Sequence, residues 1–164
     1  MKTSRLYFPL LSMFLLCAAQ ADDLRLPAGA PPAFRNECGA CHLAFPPQLL
    51  TADDWRRVMA GLDRHYGDNA SLDASSRRAI EAYLVDNAGK PRRLGPDAAA
   101  APGEAPRLTA TAWFKRKHHE VSPAVWRHAE VRGPANCAAC HKQAAAGSYR
   151  EREIVMPGGR RQED

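Results

Sequence analysis

Two pentads of the form Cys-x-x-Cys-His stand in this chain, Cys38-Gly39-Ala40-Cys41-His42 and Cys137-Ala138-Ala139-Cys140-His141. Two thiols at this spacing can add to the vinyl groups of a porphyrin, and the histidine that follows then lies under the ring as an axial iron ligand. Zinc sites also use Cys-x-x-Cys pairs, but usually with a second pair about 15–20 residues on. Here the two pairs sit in opposite halves of a 164-residue chain. A thioredoxin-like redox motif needs a βαβ context that the sequence does not offer. A disulfide gives no reason for a histidine after each second cysteine. The residues therefore predict two covalently attached haem c groups, held by Cys38, Cys41, Cys137 and Cys140, with His42 and His141 as proximal ligands.

The chemistry then turns on what faces each iron from the other side. Methionine there raises the reduction potential, histidine lowers it, and an open face permits ligand binding or catalysis. Outside the pentads the chain has His65, His118, His119 and His128. In the first half His65 has no histidine rival, and its competitor is Met59, which sits nearer the middle of an apolar stripe where methionine usually serves as filler. In the second half His118 and His119 are neighbours, so on a helix they point about 100° apart. His118 shares a face with Phe114 and Val121, whereas His119 aligns with Lys115 and Arg116. That favours His118 as the ligand and leaves His119 and His128 as alternatives. Trp55, Trp113 and Trp126 are expected to pack on haem as core residues.

The elements that must position these side chains are helical, because no strand-like alternation or hairpin signal stands out. Ala33 to Glu37 leads into the first pentad as a helical turn. Thr51-Ala52-Asp53-Asp54 resembles a capping box and opens a helix that carries Trp55, Val58, Met59, Leu62, His65 and Tyr66 as far as Gly67. A second helix from about Asp73 places Ile80, Tyr83 and Leu84 on one side and stops near Ala88-Gly89. Residues 90–107 are rich in Pro, Gly and Ala and form a linker. The second half restarts at Leu108 with a Thr109 or Thr111 cap. Ser122-Pro123 caps a further short helix through Trp126.

The N-terminus reads as an export signal. Lys2 and Arg5 precede an apolar run, Leu6 to Leu16, too short to span a bilayer as a mature helix, and Ala19-Gln20-Ala21 is a cleavage site. Cys17 falls inside this segment and is taken as ordinary signal sequence. The expected organisation is a signal peptide over 1–21, a first c-type haem domain over 22–89, the linker over 90–107, a second haem domain over 108–149, and a charged, loosely ordered tail over 150–164. Each half is too small to be well stabilised by apolar burial alone, so the haem is expected to be core as well as cofactor. The formal net charge of +5 includes Lys2 and Arg5 and is further offset by haem propionates. Arginines interleaved with Asp and Glu exclude a nucleic-acid footprint.

The run from Cys38 through Leu50, then Trp55 and Leu62 to Leu72, together with Trp113, His118, Glu120-Val121, Val125-Trp126 and Ala135 to His141, resembles the bacterial dihaem cytochrome c family called DHC. The resemblance implies an all-α fold of two small haem-binding lobes, the first similar to class I cytochrome c with histidine replacing the usual methionine ligand. It implies bis-histidine haems, His42 with His65 and His141 with His118. It also implies a periplasmic one-electron carrier, not an enzyme, with a membrane cytochrome b and a small soluble cytochrome c as partners and no small-molecule substrate. The rival readings are a small peroxidase-like or gas-binding haem protein with one open iron, and the electron-entry subunit of a periplasmic reductase.

Overall fold

The computed structural model describes residues 24–95 and 106–158. The export segment with Cys17, the centre of the linker, and residues 159–164 lie outside the described residues. Among the described residues the regular structure is helical, with no named strand and only isolated bridges at His65–Asp68 and His141–Ile154.

Helix α1 (Pro32–Cys38) begins on a Pro-Pro step and delivers the first pentad at its C-terminus. Proline at the first helical position suits this, since its missing N–H would have no partner there. Helix α2 (Ala52–Ala60) is capped by Thr51, whose Oγ1 accepts from the Asp54 amide at 3.2 Å and donates to the Asp54 carboxylate at 2.9 Å. Helix α3 (Ala74–Asp86) is capped by Asp73, which accepts from the Ser75 and Ser76 amides. These two helices pack on each other, and α1 packs on α3. Phe34, Ile80 and Leu84 fill the junction and are almost wholly buried. Burying each such side chain is worth roughly 1.5–3 kcal/mol.

Two differences from the sequence reading matter for the site. Helix α2 stops at Ala60, a turn and a half before His65, with Gly61 as its C-cap. The chain then folds back through a 3-10 turn, Leu62–Arg64, closed by Arg64 N donating to Gly61 O at 3.0 Å and Ala70 N donating to Leu62 O at 2.8 Å. Tyr66 takes a left-handed φ of 53°, which a continuing helix does not allow. His65 therefore rides on a closed loop and not on the helix.

The second difference is the tail. Residues 150–158, expected to be loose, hold a 3-10 turn at Glu151–Glu153, and Val155 N donates to Cys140 O at 3.0 Å. The apolar Ile154-Val155 pair thus lies against the second pentad despite its charged flanks.

Helix α4 (Pro91–Leu94) lies within the expected linker and packs on α5 (Ala112–Lys117). Leu94 is 1 % exposed. With Leu108, Trp113 and Phe114 it extends the same buried cluster that holds Phe34, Trp55, Met59, Ile80 and Leu84. Thr111 caps α5, and Ser122 caps α6 (Pro123–Trp126), as the sequence leads one to expect. The remainder of the second half is turns, with few buried side chains beyond Val131 and Ala144.

Candidate haem sites

The first pentad hangs from the end of α1, and the following segment returns through Phe45 and the buried Pro46-Pro47 step. Trp55 Nε1 donates to Pro47 O at 2.7 Å, which fixes that return against α2. His42 Nδ1 donates to the neighbouring Leu43 carbonyl at 2.7 Å, and its ring lies 4.8 Å from Phe45 with an interplanar angle of 19°. The loop after α2 brings His65 in front of it. The two imidazole centres are 6.1 Å apart, with their planes inclined at 21°.

In the second half α5 ends at Lys117 and His118 is its C-cap. The His118 ring therefore folds back over the last turn. Its Nδ1 donates to Phe114 O at 3.0 Å, and the two rings stack at 4.0 Å and 20°. The second pentad turns through Cys137–Ala139, and His141 N donates to Cys137 O at 2.8 Å. The imidazole of His141 faces that of His118, again at 6.1 Å between centres, here with planes at 82°.

The repeated spacing is what a shared metal ion demands. Two imidazoles on opposite sides of one ion, each with a bond of about 2.0 Å and about 1.1 Å from nitrogen to ring centre, stand about 6 Å apart. Both pairs meet that span, so the residues present fit an iron held between two histidines. The competing histidines are placed elsewhere. His119 is 71 % exposed, with Nδ1 donating to Arg116 O at 2.9 Å. His128 is exposed and accepts from the Glu130 amide at 3.3 Å. Met59 is buried in the α2–α3 core.

The electrostatics favour neutral imidazole, the form that binds iron. Burial lowers His65, helped by the nearby His42 and opposed by Asp68. Burial also lowers His118, against the pull of the Phe114 carbonyl. His141 is pushed down to about 4 by burial and by His118. Its Nδ1 is buried without a hydrogen-bond partner among the described residues, so this ring is not a satisfied core histidine.

The thiols tell the same story. All four are free. Burial pushes Cys38 and Cys137 up to about 11, and raises Cys140 as well. A reactive dithiol calls for the opposite shift. Among the described residues no group of three or more His, Cys, Asp and Glu side chains is gathered to hold a metal ion.

Three contributors to these sites escape the sequence reading. Phe45 orients His42, Tyr149 sits 5.2 Å from the His141 ring, and Ile154 bridges His141. The available signal was an aromatic residue within nine positions after each pentad, and an apolar pair inside an otherwise charged tail.

Comparison with known proteins agrees with this geometry. The family model for dihaem cytochrome c matches residues 34–149. The fold is similar to that of the dihaem c-type cytochrome of Shewanella baltica OS155, with a TM-score of 0.68 at 36% identity, covering 80% of this chain and 97% of that one. It is also similar to two structures of the dihaem cytochrome c of Rhodobacter sphaeroides. One has a TM-score of 0.63 at 43% identity, covering 74% of this chain and 98% of that one. The other has a TM-score of 0.60 at 41% identity, covering 76% and 99%. A comparison with curated proteins finds no match. With two pentads, two matched histidine pairs and a family model spanning most of the chain, the protein belongs to the dihaem cytochrome c family, and its cofactors are two covalently bound haem c groups.

Proposed function

We propose that this protein is a periplasmic carrier of single electrons, with His42 and His65 as axial ligands of the first iron and His141 and His118 as those of the second. The observation that carries the assignment is the 6.1 Å separation repeated in both histidine pairs. The four pentad thiols form the thioether bonds. Membership of the family implies electron transfer. The location and the partners rest on the signal-like N-terminus and on the resemblance, which point to a membrane cytochrome b on the donor side and a small soluble cytochrome c on the acceptor side. Among the described residues no helix is long and apolar enough to cross a membrane.

Haem c supplies a one-electron ferric–ferrous couple when bound. The chain's own contribution is positional. The Leu43 and Phe114 carbonyls hold the Nδ1–H groups of His42 and His118, which fixes the tautomer and leaves Nε2 free for metal. With His42 and His65 on one iron and His141 and His118 on the other, neither would have a position open to water or small ligands. Each site could change charge with little movement of these residues, which suits outer-sphere transfer.

The test is ligand access. The reduced holoprotein should bind carbon monoxide slowly or not at all and show negligible peroxidase turnover, while exchanging electrons rapidly with a soluble redox protein. Rapid carbon monoxide binding at full occupancy favours instead a gas-binding or peroxidase-like protein with an open iron.

A further inference from the structure

The two histidine pairs match in spacing and differ in orientation. The planes of His42 and His65 are inclined at 21°, and those of His118 and His141 at 82°. The geometry points to two electronically unlike irons, with axial imidazole planes held near-parallel in the first site and near-perpendicular in the second, and with Phe45 and Phe114 as the positioning residues that set those planes. This inference rests on the axial assignment proposed above.

Each plane has a visible cause. In the first site Phe45 lies nearly parallel to His42, at 19° and 4.8 Å, while the Leu43 carbonyl holds Nδ1. His65 is braced from its edge by Tyr66 at 4.8 Å and 63°. Tyr66 is itself fixed, because its hydroxyl donates to the Pro106 carbonyl and the Arg107 guanidinium lies 4.3 Å over its ring. In the second site the His118 plane follows the Phe114 ring at 20° and 4.0 Å, and Trp126 flanks it at 5.8 Å. His141 is turned across it, beside Tyr149, by the pentad turn and the Ile154 bridge. Rotating either ring breaks its stacking contact, so the planes are determined by packing.

The electronic consequence follows from orbital symmetry. Parallel imidazoles donate into the same iron d orbital of π symmetry and split it from its partner. Perpendicular imidazoles donate into both and leave them nearly degenerate. The split level stabilises the ferric hole, so this contribution makes the first iron harder to reduce than the second. The degenerate level gives strong magnetic anisotropy, so the two ferric sites have different electron paramagnetic resonance spectra.

The experiment is a low-temperature spectrum of the oxidised holoprotein. The expected result is two low-spin signals of equal weight, one of ordinary rhombic shape and one highly anisotropic with a single prominent low-field feature. Two low-spin signals of one type overturn the inference while leaving bis-histidine ligation standing. High-spin iron in the native protein overturns both. Phe114→Leu keeps the backbone hydrogen bond to His118 and removes the stacked ring, so the low-field feature should move toward the rhombic position while the first signal stays. Phe114→Tyr keeps the ring and should keep the feature. Phe45→Leu should shift only the rhombic signal, which tests the idea even if the Phe114 variant fails to fold. Unchanged spectra in both leucine variants remove the positioning role.

Discussion

His118 and His119 differ by one position and by everything that matters to iron. The first folds back onto Phe114 and meets His141, whereas the second stands in solvent beside Glu120 at 3.7 Å. His118→Ala should therefore open the second iron and create carbon monoxide binding there, while His119→Ala should leave the visible spectrum unchanged. The reverse result, read by absorbance of the reduced protein under carbon monoxide, refutes the assignment. In the first site His65→Ala should turn the iron high-spin and raise its potential, because a strong donor is lost. Spectroelectrochemistry checks this, and an unaltered low-spin signal points to another ligand. The histidines were legible in the sequence by type and count, and the Phe114–His118 pair by its spacing of four. The pairing of His65 with His42 and of His118 with His141 came from the resemblance and not from the spacing, since which distant side chain faces which depends on loop closure. The expected helical face was right for Phe114 and His118 and wrong for Val121, because α5 ends before it.

At the scale of elements, capping and termination decide where the ligands stand. Thr51→Ala removes the α2 cap and should cost about 1 kcal/mol, read as a lower thermal midpoint with unchanged spectra. Caps were readable because Thr51, Asp73, Thr111 and Ser122 each precede a helical pattern. The early end of α2 was not, because the apolar spacing runs on past Gly61 to Tyr66, and only the left-handed φ of Tyr66 shows that the helix does not reach Gly67. The tail shows a pH dependence of known sign. Glu153 accepts from Ser148 Oγ at 2.6 Å and pairs with Arg150, and these contacts, the serine first, lower its carboxyl below the ordinary value. A carboxyl depressed in the folded state contributes fully above its unfolded value and loses that contribution as pH falls through the folded one. Hydrogen-exchange protection at Ser148–Val155, taken relative to the intrinsic rate at each pH, should thus fall in acid, below the usual carboxylate range, and Glu153→Gln should flatten that response. Equal acid sensitivity in the variant removes Glu153 as the cause.

Across the whole molecule, two lobes share one buried cluster. Leu94 and Leu108 lie on either side of the linker's centre and join Trp113 and Phe114 to the core around Phe34 and Ile80. The N-terminal segment crosses both halves. Gln48 Nε2 donates to Arg25 O at 3.0 Å and the Tyr83 hydroxyl donates to Pro27 O at 3.1 Å, while Arg25 lies against Gly147 beyond the second pentad. Gly147 has a φ of +79°, and a methyl group there would come within 2.9 Å of Arg25 Cα, so only glycine fits. A shared core and a crossing strap couple the halves. Denaturant unfolding of the holoprotein, followed separately at the two haem signals, should therefore give coincident transitions. Gly147→Ala should cost about 1–2 kcal/mol from its backbone conformation alone and loosen that crossing. Its effect should appear as a lower midpoint shared by both signals. Separate transitions in the native protein, or a shift confined to the second haem, would mean that each haem holds its own half together and that the strap does not join them.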